Sequence, residues 1–289
     1  MKLLVTGAAG MLGHDVCRVA QRAGHEPLAI DLPDLDITDA AAVSAFFAEQ
    51  RPEAVLNCAA WTDVDGAETH SEQAHAVNAD GAGNLARAAA AIDVALLHIS
   101  TDYVFDGRAP HDADGHERPY LESDSTGPRS VYGQSKLAGE QQVLAASRRH
   151  TVVRTAWLYG VHGRNFVDTM LRLADEREAV QVVDDQTGSP TWSGHLAPAV
   201  MGLLERDVAG LVHLTGGGAV SWNGFAKEIF RQAERDCRVD TATSAQMARP
   251  AERPAWSVLE SERAEVVPMP DWRDGLAGYL AARAGIERE

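Results

Sequence analysis

The chain has 289 residues, 45% hydrophobic and 24% charged, an ordinary globular balance that excludes disordered, collagen-like and coiled-coil classes. Lys+Arg total 26 against 42 Asp+Glu, a formal net charge of −16 with no basic stripe to offset it, so nucleic acid is not an expected partner. Three cysteines (Cys17, Cys58 and Cys237) match no metal spacing, and no run approaches the roughly 18 apolar residues of a membrane span; a cytoplasmic protein with reduced thiols and no membrane partner is expected.

Residues 2–6 read as an apolar strand that ends in glycines, not as a signal peptide. Helix-like stretches at 13–22, 40–50, 72–91 and 131–147 then alternate with strand-like runs at 26–31, 54–58, 95–100 and 151–155. This alternation predicts an α/β chain with a Rossmann-type doubly wound parallel sheet. Residues 107–128 are rich in Pro, Gly, Asp and Ser without a period, long enough to suggest a functional loop. Beyond Tyr159 come a helix at 165–176, a strand at 180–183, a helix around 195–205, a strand at 211–215 and a helix at 221–235, and the final 287–289 reads as a frayed tail. The expected division is a dinucleotide-binding domain over 1–160, to which part of 188–217 returns, and a smaller C-terminal α/β substrate-binding lobe over 161–289.

The run Thr6-Gly7-Ala8-Ala9-Gly10-Met11-Leu12-Gly13 joins the first strand to the first helix, the context in which G-x-x-G-x-x-G carries meaning. Gly7 permits a tight turn, Gly10 lets backbone approach a pyrophosphate, and Gly13 lets helix and strand pack closely. The pyrophosphate would sit on free N–H groups at the helix start, where the dipole favours an anion. Asp31 closes the second strand, where a carboxylate accepts from the hydroxyls of an adenosine ribose and resists a 2′-phosphate. The expected cofactor is NADPH or NADH, with Asp31 tilting toward NADH. Asp36 and Ile37 are placed to border the adenine, although Asp before Ile-Thr-Asp is also a helix-capping sequence.

Tyr132-Gly133-Gln134-Ser135-Lys136 sets a phenol and an ammonium one helical turn apart on one face. Such pairs also occur on ordinary solvated helices. A free tyrosine has a pKa near 10, so it moves protons poorly at pH 7 unless a nearby cation stabilises the phenolate, a task for Lys136. Ser100 ends the strand beginning at 95 and Thr101 follows it, and ligands in open parallel sheets bind beyond the carboxyl ends of strands. Either hydroxyl would donate to a carbonyl becoming an alkoxide, with Tyr132 delivering the proton.

These residues, with Asn57-Cys58-Ala59-Ala60 and Asn78 in Val-Asn-Ala-Asp-Gly, resemble the extended short-chain dehydrogenase/reductases. Within that superfamily the chain is similar over its whole length to the dTDP-4-dehydrorhamnose reductase family. The motifs are Cys58-Ala-Ala-Trp-Thr-Asp-Val-Asp-Gly-Ala-Glu68, Ser100-Thr-Asp-Tyr-Val-Phe-Asp-Gly107, Arg154-Thr-Ala-Trp-Leu-Tyr-Gly160, Asn165-Phe-Val, Asp184-Asp-Gln-Thr-Gly-Ser-Pro-Thr191 and Arg253-Pro254 with Ser257-Val-Leu259. The resemblance implies a catalytic triad of Thr101, Tyr132 and Lys136, supported by Asn78. It implies Met11, Leu12, Cys58, Ala59, Ala60 and Ser100 at the cofactor. It also implies Thr62, Val64, Asp102, Tyr103 and Trp157 near the sugar, and Asn165, Gln186 and Arg253 at the thymidine diphosphate. Trp157 would offer the pyranose a flat apolar face, although a tryptophan after a buried strand is commonly core.

Trp61, Trp256 and the helix start His14-Asp15 depart from the family's usual pattern, and monomer and homodimer both stay open. The 11 histidines form no metal-ligand motif, with His111 and His116 in the irregular loop, so no catalytic metal is expected. The implied reaction is hydride transfer to the C4 carbonyl of dTDP-4-dehydro-L-rhamnose, a dTDP-6-deoxy-4-keto sugar, giving dTDP-L-rhamnose. The alternatives are a reductase of another dTDP-keto sugar, such as a branched-sugar precursor, and a non-catalytic NADP-binding regulatory subunit. Epimerase and dehydratase chemistry rank below, because a dehydratase would carry Asp-Glu where this chain has Asp102-Tyr103.

Overall fold

Leu3 and Val5 point to one side of the first strand and Leu4 to the other, and all three are fully buried, so this strand has apolar cover on both faces. That requirement organises the computed structural model, which describes residues 1–286; the tail expected at 287–289 lies outside the described residues. β1 (Lys2–Thr6), α1 (Met11–Arg22), β2 (Glu26–Ile30), α2 (Ala40–Gln50) and β3 (Ala54–Asn57) form the first two crossovers. Short helices α3 (Val64–Ala67) and α4 (Ser71–His75) precede α5 (Ala82–Ala91), followed by β4 (Ala95–Thr101), α6 (Val131–Ala146) and β5 (Thr151–Thr155). The remainder comprises β6 (Leu158–Tyr159), α7 (Phe166–Glu176), β7 (Ala179–Val183), β8 (Thr187–Gly188), β9 (Thr191–Trp192) and α8 (Ser193–Glu205). Last come β10 (Gly210–His213), β11 (Val220–Ser221), α9 (Trp222–Gln232), β12 (Arg238–Ala242) and α10 (Trp272–Ile286).

Six strands make one parallel sheet in the order β10-β5-β4-β3-β1-β2. Leu3, Val5, Leu56, Leu97 and Val153 meet α1 and α8 on one face, and Leu4, Val55, Leu96 and Val152 meet α2, α5 and α6 on the other. The strand order reverses between β1 and β3, which opens a crevice beyond their carboxyl ends. The strand expected at 211–215 is β10, and it lies at the edge of this sheet beside β5. Ser193 Oγ donates to the buried Asp15 Oδ2 at 2.6 Å, tying α8 to α1.

A second core joins Tyr159, Met170, Val180, Phe225, Trp272 and Tyr279, around the parallel pair β7 and β12 and helices α7, α9 and α10. β12 and α10 are absent from the sequence reading, which placed no element after 235. Among the described residues no helix is long and apolar enough to cross a membrane.

The helix expected over 72–91 is interrupted by a π-helical segment, Ala76–Gly81. Asn78 there turns inward, accepting from Trp61 N at 2.8 Å and donating to Trp61 O at 3.1 Å and Ser135 Oγ at 3.0 Å. An extra residue in the turn lets one amide serve three partners, a tertiary demand that periodicity does not reveal. Residues 107–128 also differ from expectation, since none of them lines the main cleft. They form a packing segment in which Tyr120 stacks on Phe105 at 4.0 Å between ring centres and Arg118 forks onto Asp124.

A methyl group on Gly139 would lie 2.1 Å from Asn78 O, so α6 crosses the π segment at backbone contact. Gly139→Ala therefore lowers the unfolding free energy by about 1–3 kcal/mol. Urea denaturation checks this as a lower midpoint at unchanged m-value.

Candidate active site

A cleft of about 650 Å³ opens at the strand-order reversal. At one end Gly7 turns with φ +68°, and a Cβ there would stand 2.6 Å from Ala59 N. A Cβ on Gly13 would fall 2.2 Å from Gly7 O, so helix and turn touch backbone to backbone. The N-cap of α1 is Gly10, with no side-chain cap, which leaves the first N–H groups of a 12-residue helix facing the cleft beside Met11 and Leu12. Asp31 stands just past β2, accepting from Ala9 N at 3.1 Å and Leu32 N at 2.9 Å, so its carboxylate is fixed at the cleft edge. Asp36 and Ile37 continue this wall; Asp36 accepts from Thr38 N and Oγ1, which hold its carboxyl below the usual range, and Ile37 is a core residue. Cradle, uncapped helix and fixed carboxylate fit a dinucleotide.

The middle of the wall carries Cys58, Ala59, Ala60, Thr62 and Val64. Burial pushes the Cys58 thiol up, and none of the three cysteines is in a disulfide. At the far end stand Thr101, Asp102, Tyr103, Tyr132, Lys136 and Trp157. Thr101 Oγ1 donates to Asp102 Oδ1 at 2.8 Å and accepts from Tyr103 N at 3.2 Å. Burial and the neighbouring Asp102 push Tyr132 up to about 12. Lys136 does not lower it in this arrangement, because its Nζ turns to β4, donating to Ile99 O at 2.6 Å and lying 3.2 Å from His98 Nε2. Burial brings Lys136 itself down to about 8. Of the two candidate hydroxyls, that of Ser100 is engaged elsewhere: it donates to Glu140 Oε1 at 2.6 Å, and Glu140 is forked by Arg154 at 2.9 and 2.7 Å.

Trp157 adopts the left-handed region, φ +46°, and stacks on Trp222 with ring centres 3.5 Å apart and planes 4° from parallel. Its Nε1 donates to Ser257 Oγ at 3.1 Å, and a Cβ on Gly188 would strike its ring at 2.4 Å. Trp222 is a cleft residue that the sequence reading missed, and nothing around it in the chain marks it. Arg164 was also missed; with Lys136 it supplies the only basic side chains lining the cleft among the described residues.

Four expected residues do not reach the cleft wall. Asn78 braces the Trp61 backbone, as described. Asn165 caps α7, accepting from Asp168 N at 2.9 Å and donating to Gly160 O at 2.8 Å. Gln186 Nε2 donates to Ser244 Oγ at 2.8 Å. Arg253 forks onto Asp65 with both contacts at 2.9 Å, and this hydrogen-bonded cation holds Asp65 down to about 2. The departures Trp61 and Trp256 donate to Asp63 O and Arg118 O respectively. His14 packs its ring on His162 at 3.4 Å between centres. Among the described residues, the single group with three metal-competent side chains is Asp112, Asp114 and His116, all exposed and away from the cleft.

Asp102 is buried, and desolvation raises it to about 6 against the opposing hydrogen bond from Thr101. Because the folded-state value lies above the ordinary 3.8, ionising Asp102 costs stability as pH rises from about 4 through 6. Asp102→Asn therefore stabilises the ligand-free protein by about 1–3 kcal/mol at pH 8 and leaves it unchanged below pH 4. Thermal unfolding of both proteins across that range checks the crossover.

The whole arrangement has close counterparts. The family model described as RmlD substrate binding domain matches residues 1–284. The dTDP-4-dehydrorhamnose reductase of Mycobacterium tuberculosis is 47% identical, with 98% of this chain and 93% of that protein covered. Its counterpart in Streptomyces griseus is 46% identical, covering 98% and 94%. Among solved structures, a dTDP-4-dehydrorhamnose reductase from Clostridium acetobutylicum superposes with a TM-score of 0.93 at 40% identity, covering 98% of this chain and 99% of that one. The Bacillus anthracis enzyme, solved in complex with NADP, gives 0.92 at 36% identity, covering 97% and 99%. With a match over nearly its full length and the glycine turn, Thr101, Tyr132 and Lys136 on one cleft wall, this chain belongs to the dTDP-4-dehydrorhamnose reductase family of extended short-chain dehydrogenase/reductases.

Proposed function

We propose that this protein reduces the C4 keto group of dTDP-4-dehydro-L-rhamnose to give dTDP-L-rhamnose, using NADPH or NADH. The observation that carries the reading is Thr101, Tyr132 and Lys136 lining one cleft at the carboxyl end of β4, which also holds the stacked Trp157. When bound, the reduced nicotinamide supplies the hydride. Thr101 donates to the carbonyl oxygen as charge builds on it, and Tyr132 transfers its phenolic proton to the alkoxide. A phenol held near 12 stays protonated at neutral pH, which suits a proton donor. Lys136 orients the ribose, and the Trp157–Trp222 stack presents one apolar face to the pyranose. Arg164 on the rim and the free N–H groups of α1 answer diphosphate charge.

On this reading the six-stranded half binds the dinucleotide and the smaller lobe shapes the sugar site. We further propose a cytoplasmic monomer or homodimer whose partners are small molecules rather than nucleic acid, supported by the free cysteines and the net charge of −16.

The test follows loss of reduced-nicotinamide absorbance with dTDP-4-dehydro-L-rhamnose and each cofactor in parallel. Turnover establishes the reductase; binding of cofactor without turnover on this or other dTDP-keto sugars favours the regulatory-subunit alternative. Tyr132→Phe lowers kcat by about 10²–10⁴ while cofactor affinity stays within a few-fold, and near-normal turnover would remove Tyr132 from its role. Asp31→Ala weakens NADH more than NADPH, because it removes a ribose acceptor from one and a repulsive charge from the other. Fluorescence titration with both cofactors reads that difference.

A further inference from the structure

The buried His98 takes no part in the mechanism above, yet its contacts fix its proton. Ala59 N–H can only donate, so the Asn57 atom facing it at 3.0 Å is the carboxamide oxygen, which also accepts from Thr6 Oγ1 at 2.8 Å. The Asn57 Nδ2 therefore faces His98 Nδ1 at 2.9 Å and donates to it. A neutral imidazole that accepts on Nδ1 carries its proton on Nε2. That N–H points at Lys136 Nζ, 3.2 Å away. An ammonium has no lone pair to receive it, whereas an amine has one.

We infer that His98 is a positioning residue for Lys136: the Asn57 amide locks the imidazole proton on Nε2, and the imidazole in turn holds the lysine nitrogen by its lone pair. Lys136 then keeps two N–H bonds, one for Ile99 O at 2.6 Å and one for the cleft. Burial holds His98 well below the usual histidine range, so the ring is neutral as the argument requires. The other titratable groups facing Lys136 are Glu140 on its own helix and Cys58 beyond β3; both favour the ammonium, and Glu140 is itself paired with Arg154. The consequence for turnover rests on the reductase reading; the proton arrangement does not.

Two measurements on the full chain test it. ¹⁵N-histidine NMR of the ligand-free protein, with His98→Gln identifying the signal, should show a lone-pair Nδ1 and a protonated Nε2. The chain has three lysines, Lys2, Lys136 and Lys227, so a ¹³Cε titration resolves each. Asn57→Asp supplies a carboxylate that accepts from Nδ1–H, frees the Nε2 lone pair for the ammonium, and should move the Lys136 midpoint up by at least one pH unit. The alkaline limb of kcat/KM should move the same way. A proton on Nδ1, or an unmoved Lys136 midpoint in folded Asn57→Asp, overturns the inference. If Asn57→Asp does not fold, the wild-type tautomer decides alone. A confirmed tautomer and shift in a protein without turnover would refute the reductase reading and leave the inference standing.

Discussion

The cleft depends on two loops approaching closer than side chains allow. After β1 the chain turns at Gly7 against the backbone of Ala59, which follows β3, and a methyl group at Gly7 would lie 2.6 Å from that backbone. One residue earlier, Thr6 and Asn57 are register partners and hydrogen-bonded through their side chains. Asn57 is likewise the register partner of His98. A polar row thus crosses β1, β3 and β4, at the carboxyl ends of β1 and β3 where the strand order reverses. Every member of the row has a partner, so polar groups survive burial and link three neighbouring strands at once.

From that row the two ends of the cleft acquire different characters. Toward α1 the surface is backbone: uncapped N–H groups and a fixed carboxylate, suited to a flexible phosphate-linked ligand. Toward β4 it is side chain: a phenol, a hydroxyl and an amine held by packing. The smaller lobe closes the second end with a tryptophan in a left-handed backbone conformation, tolerated because it is stacked on Trp222, bonded to Ser257 and abutted by Gly188.

Much of this was legible in the sequence because it rests on local spacing. The runs of β1, β3 and β5 read as strands alternating with helices, and Tyr132 with Lys136 follows from one helical turn. The glycine turn was legible because Gly7 and Gly13 answer contacts made within a single βαβ unit or its neighbour. The rest depends on residues distant in sequence. Gln186 and Arg253 are polar residues in the expected lobe, but each is engaged by a distant protein partner that no spacing announces, whereas Asn165 caps its own helix through Asp168 N. Trp222 joins the cleft only because α9 folds back on Trp157. The π segment answers Trp61 and Ser135, and residues 107–128 look like a free loop until Tyr120 is seen stacked on Phe105.

The Arg253–Asp65 fork and the Ser193–Asp15 bond lie between parts of the chain far apart in sequence, one behind Tyr103 and the other beside α1. The first fastens the segment after β12 to α3, and the second fastens α8 to α1 within the cover of the six-stranded sheet. Neither contact involves a residue of the cleft wall, so the frame is braced without engaging the groups that face a ligand.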